Sequence, residues 1–308
     1  MSEAKVALGK RLFFEPRLSV TGQYSCASCH DPALSYSDGR PLAVGATGEA
    51  LPHSAMALVN VAYNISYGWT RPELTSLEAQ MLEPLLNQHP VELGAAGREK
   101  SISEALANDA TYVAQFIAAF PAPAPAAATA VTFDHLVKAI ASFERTLIFG
   151  NSDFDRYVFG GEHDALSPEA KHGMALFFSP QAGCASCHSG FNFSGNWRDS
   201  QGATGKPSFA NNGTSAQPMR VPTLRDVAVT APYMHDGRFS TLTEVVNHYA
   251  QMAESARRDP QSKSDVRLRT FELSAAERAD LIVFLHSLTA RPTDHPASAD
   301  HPAAEAGR

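Results

Sequence analysis

Residues 26–30 read Cys-Ala-Ser-Cys-His, and residues 184–188 repeat the same five letters, CASCH. The two pentapeptides use all four cysteines of the 308-residue chain. C-x-x-C-H is the attachment signal for c-type haem, in which the thiols add to the porphyrin vinyl groups and the histidine ligates the iron. A zinc site and a redox dithiol are the alternatives, but zinc would use both cysteine pairs together and a dithiol needs no histidine.

The sequence therefore predicts two covalently bound c-type haems. The predicted haem-binding residues are Cys26, Cys29 and His30 for the first haem, and Cys184, Cys187 and His188 for the second.

Each haem motif follows a similar block, GKRLFFEP at residues 9–16 and GMALFFSP at residues 173–180. This internal repeat predicts two related units. Apolar spacing predicts helices over residues 134–149 and 275–288. Ser167 and Pro168 are typical of a helix start. No alternating strand pattern is evident, so we expect a mainly α fold of two cytochrome c-like helical domains, each with one covalent c-type haem, joined by long loops.

The domain boundaries follow from composition and from the helix start. We expect an N-terminal haem domain over residues 1–162 and a C-terminal haem domain over residues 163–290. The Pro- and Ala-rich stretch at residues 121–130 is typical of a loop, and we expect the tail at residues 291–308 to be disordered.

Charge and hydropathy limit the possible functions. The formal net charge is −7, which disfavours a nucleic-acid partner. No apolar run is long enough to span a bilayer, and the N-terminus lacks the pattern of a secretory leader. Because covalent haem attachment takes place outside the bacterial cytoplasm, we expect a periplasmic protein whose leader has been removed.

The second axial position on each iron decides the chemistry, because a free position lets peroxide bind and a filled one makes an electron-transfer or charge-storing centre. Residues 244–252, EVVNHYAQM, offer His248, Tyr249 and Met252. A helix that starts at a capping box of Thr241 and Glu244 puts Tyr249 and Met252 on its apolar face and turns His248 away. Taken alone, a lone tyrosine is more often a packed core residue.

Four segments together resemble the bacterial dihaem cytochrome c peroxidase and MauG superfamily over about residues 3–288. They are the two CASCH motifs, the stretch from Trp69 through Gln80 and Pro84 to Glu92, and residues 221–249, VPTLRDVAVTAPYMHDGRFSTLTEVVNHY. Within the superfamily, GKRLFFEPRLS, VGATGE, VNVAYN, HPVELG and APYMHDG are most similar to the MbnH branch, whose genes lie beside methanobactin genes.

The resemblance implies that Tyr249 ligates the second haem. Ordinary dihaem peroxidases place a methionine fourteen residues after the histidine of the PYxHxG segment, and MauG places a tyrosine there. In this chain that histidine is His235, and the residue fourteen positions later is Tyr249. A thioether is soft and raises the haem potential, whereas an anionic phenolate stabilises ferric iron and Fe(IV).

The implied activity is that of a haem-dependent oxidoreductase of the MauG and MbnH type. Hydrogen peroxide would form a bis-Fe(IV) state, which carries out a two-electron oxidation of a side chain on a partner protein. For an MbnH-like enzyme the implied partner is MbnP, a copper-binding protein, and the implied product is a kynurenine-type residue made from tryptophan. The alternatives are a dihaem cytochrome c peroxidase that draws electrons from a small c-type cytochrome, and a plain electron carrier.

The resemblance also implies roles at the first haem. Gln80, Pro84 and Glu92 would line its distal face, with Glu92 as acid and base, Gln80 orienting peroxide and Pro84 keeping the sixth position free. Without this context, a glutamate on a loop is usually just solvated. Trp69 would relay oxidising equivalents between the haems.

A calcium ion between the haems is implied as well, with Ser54, Thr230 and Pro232 at the matching positions. Arg225 and His235 would hold waters or haem propionates there. The surface tryptophan that MauG carries two residues before its second haem motif is Ala182 in this chain. Trp197 is an alternative exit for oxidising equivalents, although a packing role is the more ordinary interpretation.

Overall fold

The computed structural model describes residues 1–121, 130–195, 209–210, 218–258 and 271–291. α-Helices dominate these ranges, as the sequence predicted. The helices are α1 (Glu3–Phe13), α2 (Leu77–Leu86), α3 (Glu99–Ala107), α4 (Ala110–Ala119), α5 (Phe133–Glu144), α6 (Asp153–Val158), α7 (Pro168–Phe178), α8 (Leu242–Arg258) and α9 (Ala275–His286). A short antiparallel pair, β1 (Phe209–Ala210) and β2 (Met219–Arg220), was not predicted. No helix in the described ranges is long and apolar enough to cross a bilayer.

Two helix crossings reproduce the sequence repeat in space. Helix α1 packs across α5 at Gly9, where an added Cβ would lie 1.9 Å from the backbone oxygen of Ala139. Helix α7 packs across α9 at Gly173, where a Cβ would lie 2.0 Å from the backbone oxygen of Asp280. Because backbone atoms cannot move aside as a flexible side chain can, each crossing requires glycine. The two repeated blocks therefore each supply the glycine-bearing helix of an equivalent helix pair.

Each helix pair anchors its own hydrophobic core. In the first, the Phe13 ring packs edge-on against Tyr36 and Phe143, with centroids 5.8 and 5.3 Å apart. In the second, Phe177 and Phe284 lie 5.2 Å apart. Phe154 also packs in the second core. The division of the chain at residue 162 remains a prediction, and residues 292–308, which make up nearly all of the expected tail, lie outside the described ranges.

The repeat extends to the loops that follow the haem motifs. Asn60 and Asp226 both have a positive φ, 56° and 58°. The N–H of Asn60 donates to the Leu147 carbonyl, while its side chain accepts from the Phe149 N–H. Likewise, the N–H of Asp226 donates to the Leu288 carbonyl, and its side chain accepts from the Ala290 N–H. These bonds turn the chain after each helix, so α5 ends at Glu144 and α9 at His286, short of the predicted ends at residues 149 and 288.

Buried polar contacts join the two halves of the molecule, the one that carries the first haem motif and the one that carries the second. The Ser35 hydroxyl donates to Asp226 at 2.9 Å, and the Asn60 amide donates to the Asn192 side-chain oxygen at 3.2 Å. All four residues are buried. Since a buried polar group that loses its partner is costly, these bonds hold the halves in a defined relation.

Glu15 is the centre of a buried network between α1 and α4. Its carboxylate accepts bonds from the Arg17 side chain at 2.7 Å and from the Tyr112 hydroxyl at 2.7 Å. Burial alone would raise the pKa of Glu15, but the bonds from Arg17 and Tyr112 outweigh burial and hold this pKa at about 2. The folded state therefore strongly favours the ionised carboxylate.

We expect Glu15→Gln to lower the free energy of unfolding at pH 7 by about 2–4 kcal/mol, because it removes a buried, paired charge. The folded-state pKa lies below the ordinary value of 4.5, so this stability is present above pH 4.5 and is lost as pH falls towards 2. Urea unfolding at several pH values should show the two proteins converging in acid. Glu162→Gln, in an exposed pair with Arg156, is the control and should change little. A difference in the free energy of unfolding between Glu15→Gln and the native protein that stays constant from pH 7 to 3 would contradict this account.

Candidate haem sites

Both CASCH motifs fold into the same local structure. Cys26–Ser28 and Cys184–Ser186 form short 3₁₀ helices, and each histidine follows directly. His30 Nδ1 lies 2.8 Å from the carbonyl oxygen of Tyr36, and His188 Nδ1 lies 2.8 Å from that of Phe193. A carbonyl oxygen can only accept, so Nδ1 must carry the proton in both rings. Nε2 is then the nitrogen with a lone pair available to iron.

The protonation states of these groups also fit haem. Burial lowers the pKa of His30, and it lowers the pKa of His188 to about 4, so both imidazoles are neutral at pH 7. Burial raises the pKa of Cys29 to about 11 and that of Cys184 to about 12. Burial thus favours an uncharged sulfur at these positions, and a thioether is uncharged. Within the described ranges no group of three or more His, Cys, Asp or Glu is placed to hold a metal ion.

A cavity of about 230 Å³ adjoins the second motif. Its lining includes Cys184, Cys187 and His188 from the motif, and Leu242, Val245, Val246 and Tyr249 from α8. The predicted capping box is present, since Thr241 and Glu244 exchange bonds at the start of α8. Of the three candidate ligands on this helix, Tyr249 lines the cavity. Met252 is buried outside that lining, and His248 packs against the Phe239 ring at 5.0 Å.

Arg220 is a residue of this site that sequence reasoning missed. It is buried and lines the cavity, where its guanidinium donates to the Gly68 carbonyl at 3.0 Å and contacts the Met56 sulfur at 2.8 Å. Burial lowers its pKa to about 10, so it stays charged at pH 7. None of the carboxylates in the described ranges forms an ion pair with it. A buried cation needs an anion, and the propionates of a haem in this cavity would supply one.

The loop that carries Glu92 is fixed by backbone bonds. The Ala46 N–H donates to the Glu92 carbonyl at 2.7 Å, and the Leu93 N–H donates to the Pro84 carbonyl at 2.9 Å. Burial raises the pKa of Glu92 to about 7, and the charge of Glu83 adds to the effect. Burial raises the pKa of Cys29, and the charges of Asp38 and Glu92 raise it further.

Pro84 lies inside α2 and cannot donate the helical bond to the Gln80 carbonyl. Gln80 is one turn before it on the same helix, and both are partly buried. The Leu93 bond to the Pro84 carbonyl then ties the loop of Glu92 to the end of this helix. The structure thus brings the three predicted distal residues onto one helix and the loop bonded to it.

Trp69 and Ser54 connect the two halves of the molecule. The Trp69 indole N–H donates to the Ser54 carbonyl at 3.0 Å. The Ser54 N–H donates to the His235 carbonyl at 2.8 Å, and its hydroxyl donates to the Met234 carbonyl at 3.1 Å. The His235 ring lies 6.4 Å from the Trp69 ring.

Ser54, Thr230 and Pro232, the positions matching a calcium site, all line the cavity described above, as do Trp69 and His235. The Arg225 guanidinium is buried, with Nη1 donating to the two carboxylate oxygens of Asp155 at 2.7 and 2.6 Å, and its role between the haems stays a prediction. Ala182 is buried. Trp197 lies outside the described residues.

Comparisons with known proteins identify the family of this chain. Residues 3–163 match the family model for di-haem cytochrome c peroxidase, CCP_MauG. The methylamine utilization protein MauG of Methylorubrum extorquens is 36% identical, over 95% of this chain and 80% of that protein. The cytochrome c551 peroxidase of Pseudomonas aeruginosa is 30% identical, over 94% of this chain and 80% of that protein.

Among solved structures, a MauG-like protein associated with microbial copper homeostasis superposes with a TM-score of 0.85 at 31% identity. The match covers 94% of this chain and 90% of that one. The sequence matches and this structural match agree on one assignment. The chain belongs to the dihaem cytochrome c peroxidase and MauG family.

Proposed function

We propose that this chain, a haem-dependent oxidoreductase by its family, uses hydrogen peroxide to oxidise a side chain of a partner protein by two electrons. The target we propose is a tryptophan on a copper-binding protein of the MbnP type. Its conversion to a kynurenine-type residue is a four-electron oxidation, so two peroxides are consumed, each removing two electrons, and the net change is tryptophan plus two peroxides giving N-formylkynurenine plus two waters; hydrolysis then releases formate. The observation that carries the proposal is the position of Tyr249, which lines one cavity with Cys184, Cys187 and His188. The solved MauG-like relative associated with copper homeostasis supports the choice of partner.

Two c-type haems would supply the redox chemistry when bound, by taking two oxidising equivalents from peroxide and sharing them over two irons. His30 and His188 would hold the irons through Nε2, and Tyr249 would complete the shell of the second. An anionic phenolate stabilises high oxidation states and disfavours reduction by a cytochrome. The second site would therefore store oxidising power.

Glu92 would move the proton at the first site. It accepts a proton from the peroxide oxygen that will bind iron and passes it to the distal oxygen, so that water can leave. A pKa of about 7 leaves this carboxyl able to accept and to donate near neutral pH. Gln80 would orient the peroxide, and Pro84 would keep a protein ligand from the sixth position.

Trp69 would relay charge between the two sites. Its indole N–H is held by the Ser54 carbonyl, and its ring lies beside those of His53 and His235. We also propose a calcium ion here, bound by the Ser54 hydroxyl and by backbone oxygens of Thr230 and Pro232, with water completing its shell. The shared cavity of these three residues supports this site. The periplasm is the proposed location, since c-type haems are attached outside the cytoplasm.

A second candidate function is peroxide detoxification with electrons from a small c-type cytochrome. The similarity to cytochrome c551 peroxidase favours it. That function needs a second haem that accepts electrons readily. The two candidate functions therefore differ in whether the Tyr249 phenolate ligates the second iron.

The test is stoichiometric peroxide added to the diferric holoprotein, followed in the near infrared. We expect a charge-resonance band, which reports an oxidising charge shared by two irons. Tyr249→Met should abolish the band and raise the second haem's potential by at least about 59 mV, a tenfold change in its reduction equilibrium. Met252→Leu, one turn later on α8, is the matched control and should change neither. An unchanged potential in Tyr249→Met would remove Tyr249 from the iron.

The Glu92 assignment predicts a pH profile. Only the ionised carboxylate can accept the first proton, so the rate of reaction with peroxide should fall as pH drops below about 7. Glu92→Gln should lower the rate by about 10²–10⁴-fold and flatten the profile. Stopped-flow measurements across this range are the check. Glu83→Gln should keep the limiting rate and move the midpoint to lower pH, because it removes a repelling charge. A Glu92→Gln profile that still bends at the same pH would exclude Glu92 as the base.

A further inference from the structure

Helix α5 ends in a buried acid that the chemistry above does not use. Glu144 is 6% exposed, and its Oε2 has no hydrogen-bond partner among the described residues. The adjacent cation does not serve it, because the Arg145 guanidinium binds both carboxylate oxygens of Glu78 at 2.8 and 2.7 Å. Burial without a partner favours the neutral, protonated form of a carboxyl.

The internal repeat shows which way Glu144 faces. In the first helix pair, Gly9 of α1 contacts Ala139 and Phe143 of α5. In the second pair, Gly173 of α7 contacts Asp280 and Phe284 of α9. Each α5 residue therefore corresponds to the α9 residue 141 positions later. The carbonyls of Leu147 and Leu288, bound by Asn60 and Asp226, keep the same offset. The counterpart of Glu144 is therefore Leu285.

Leu285 lines the second cavity together with Cys184 and His188. Glu144 in turn raises the pKa of Cys26, so its charge is felt at the first haem motif. The first pocket thus has a carboxyl where the second has an aliphatic side chain.

The groups that act on Glu144 come from several elements. Burial raises its pKa to about 8, the charge of Arg145 lowers it, and Glu78 on α2 raises it again. Tyr67 and Cys26 are the other titratable groups coupled to it. At pH 7 the carboxyl is mostly protonated, and a positive charge arriving nearby would favour its ionisation.

We propose that Glu144 is a redox-linked proton site of the first haem, protonated while the iron is ferrous and ionised when the iron becomes ferric. One electron leaves the iron for a one-electron oxidant, and one proton leaves the Glu144 carboxyl for water. The charge of the pocket then stays constant. The site requires a haem at Cys26 and Cys29 but no partner protein, so its test is independent of the proposed oxidation of a side chain.

The test is spectropotentiometry of the holoprotein at several pH values, with ferricyanide and dithionite as oxidant and reductant. Glu92 also titrates near the first haem, so the parent protein is Glu92→Gln. Below pH 8, the first-haem potential of this parent protein should fall as pH rises, by up to about 59 mV per pH unit, the value for one proton per electron. Adding Glu144→Gln, or Glu144→Leu as at the counterpart position, should flatten this slope. Glu104→Gln, exposed on α3, is the control and should keep it.

A flat slope in the Glu92→Gln parent, or a slope that survives removal of Glu144, overturns the proposal. Should the Glu144 variants fail to take up haem, the infrared difference spectrum of the Glu92→Gln protein decides. Oxidation should then remove the C=O stretch of a protonated carboxyl, and a spectrum without that loss also overturns the proposal.

Discussion

The bond from each haem-motif histidine to a backbone carbonyl is the contact on which the rest of the account depends. Nδ1 of His30 and of His188 each donates to a carbonyl 2.8 Å away. The acceptors, Tyr36 and Phe193, are buried ring residues of the two cores. The packing of each core therefore sets the orientation of the imidazole and leaves Nε2 for the iron. Gly9 and Gly173 make that packing possible, because they let the helices of each pair meet at backbone distance.

The two halves share this frame and differ in what surrounds the haem site. At the first motif, the carboxyls of Glu92 and Asp38 act on Cys29, and Glu144 acts on Cys26. The lining of the second cavity, within the described residues, has no carboxyl but includes Arg220 and Tyr249. We propose that the first pocket exchanges protons and that the second holds an oxidising equivalent, so that two similar cofactors would take different parts in one reaction.

Local signals in the sequence predicted much of this arrangement. The CASCH motifs, the repeated blocks and the capping box of Thr241 and Glu244 each act over a few residues, and each is found in the structure. Tyr249 lies with Leu242 and Val245 on the side of α8 that lines the cavity, whereas Met252, predicted on the same face, is buried outside that lining. The family assignment came from motif spacing and is supported by the comparisons. The roles of the individual site residues stay predictions.

The structure was needed wherever a residue's neighbours lie far away in sequence. Arg225 was placed between the haems by its segment, but its partner Asp155 lies seventy residues earlier. Arg220 carries no motif, and its place in the cavity depends on Gly68 and Met56 from the other half of the chain. The sequence analysis did not single out Glu144, which lies inside the helix predicted over residues 134–149, and its burial became evident only from the structure.

The central claim is that a phenolate oxygen completes the coordination of the second iron. A crystal structure of the diferric holoprotein tests this claim most directly. The account predicts the Tyr249 oxygen within bonding distance of the iron, opposite Nε2 of His188. A map in which the Tyr249 ring turns away from the haem, or in which a methionine sulfur occupies that position, would contradict it.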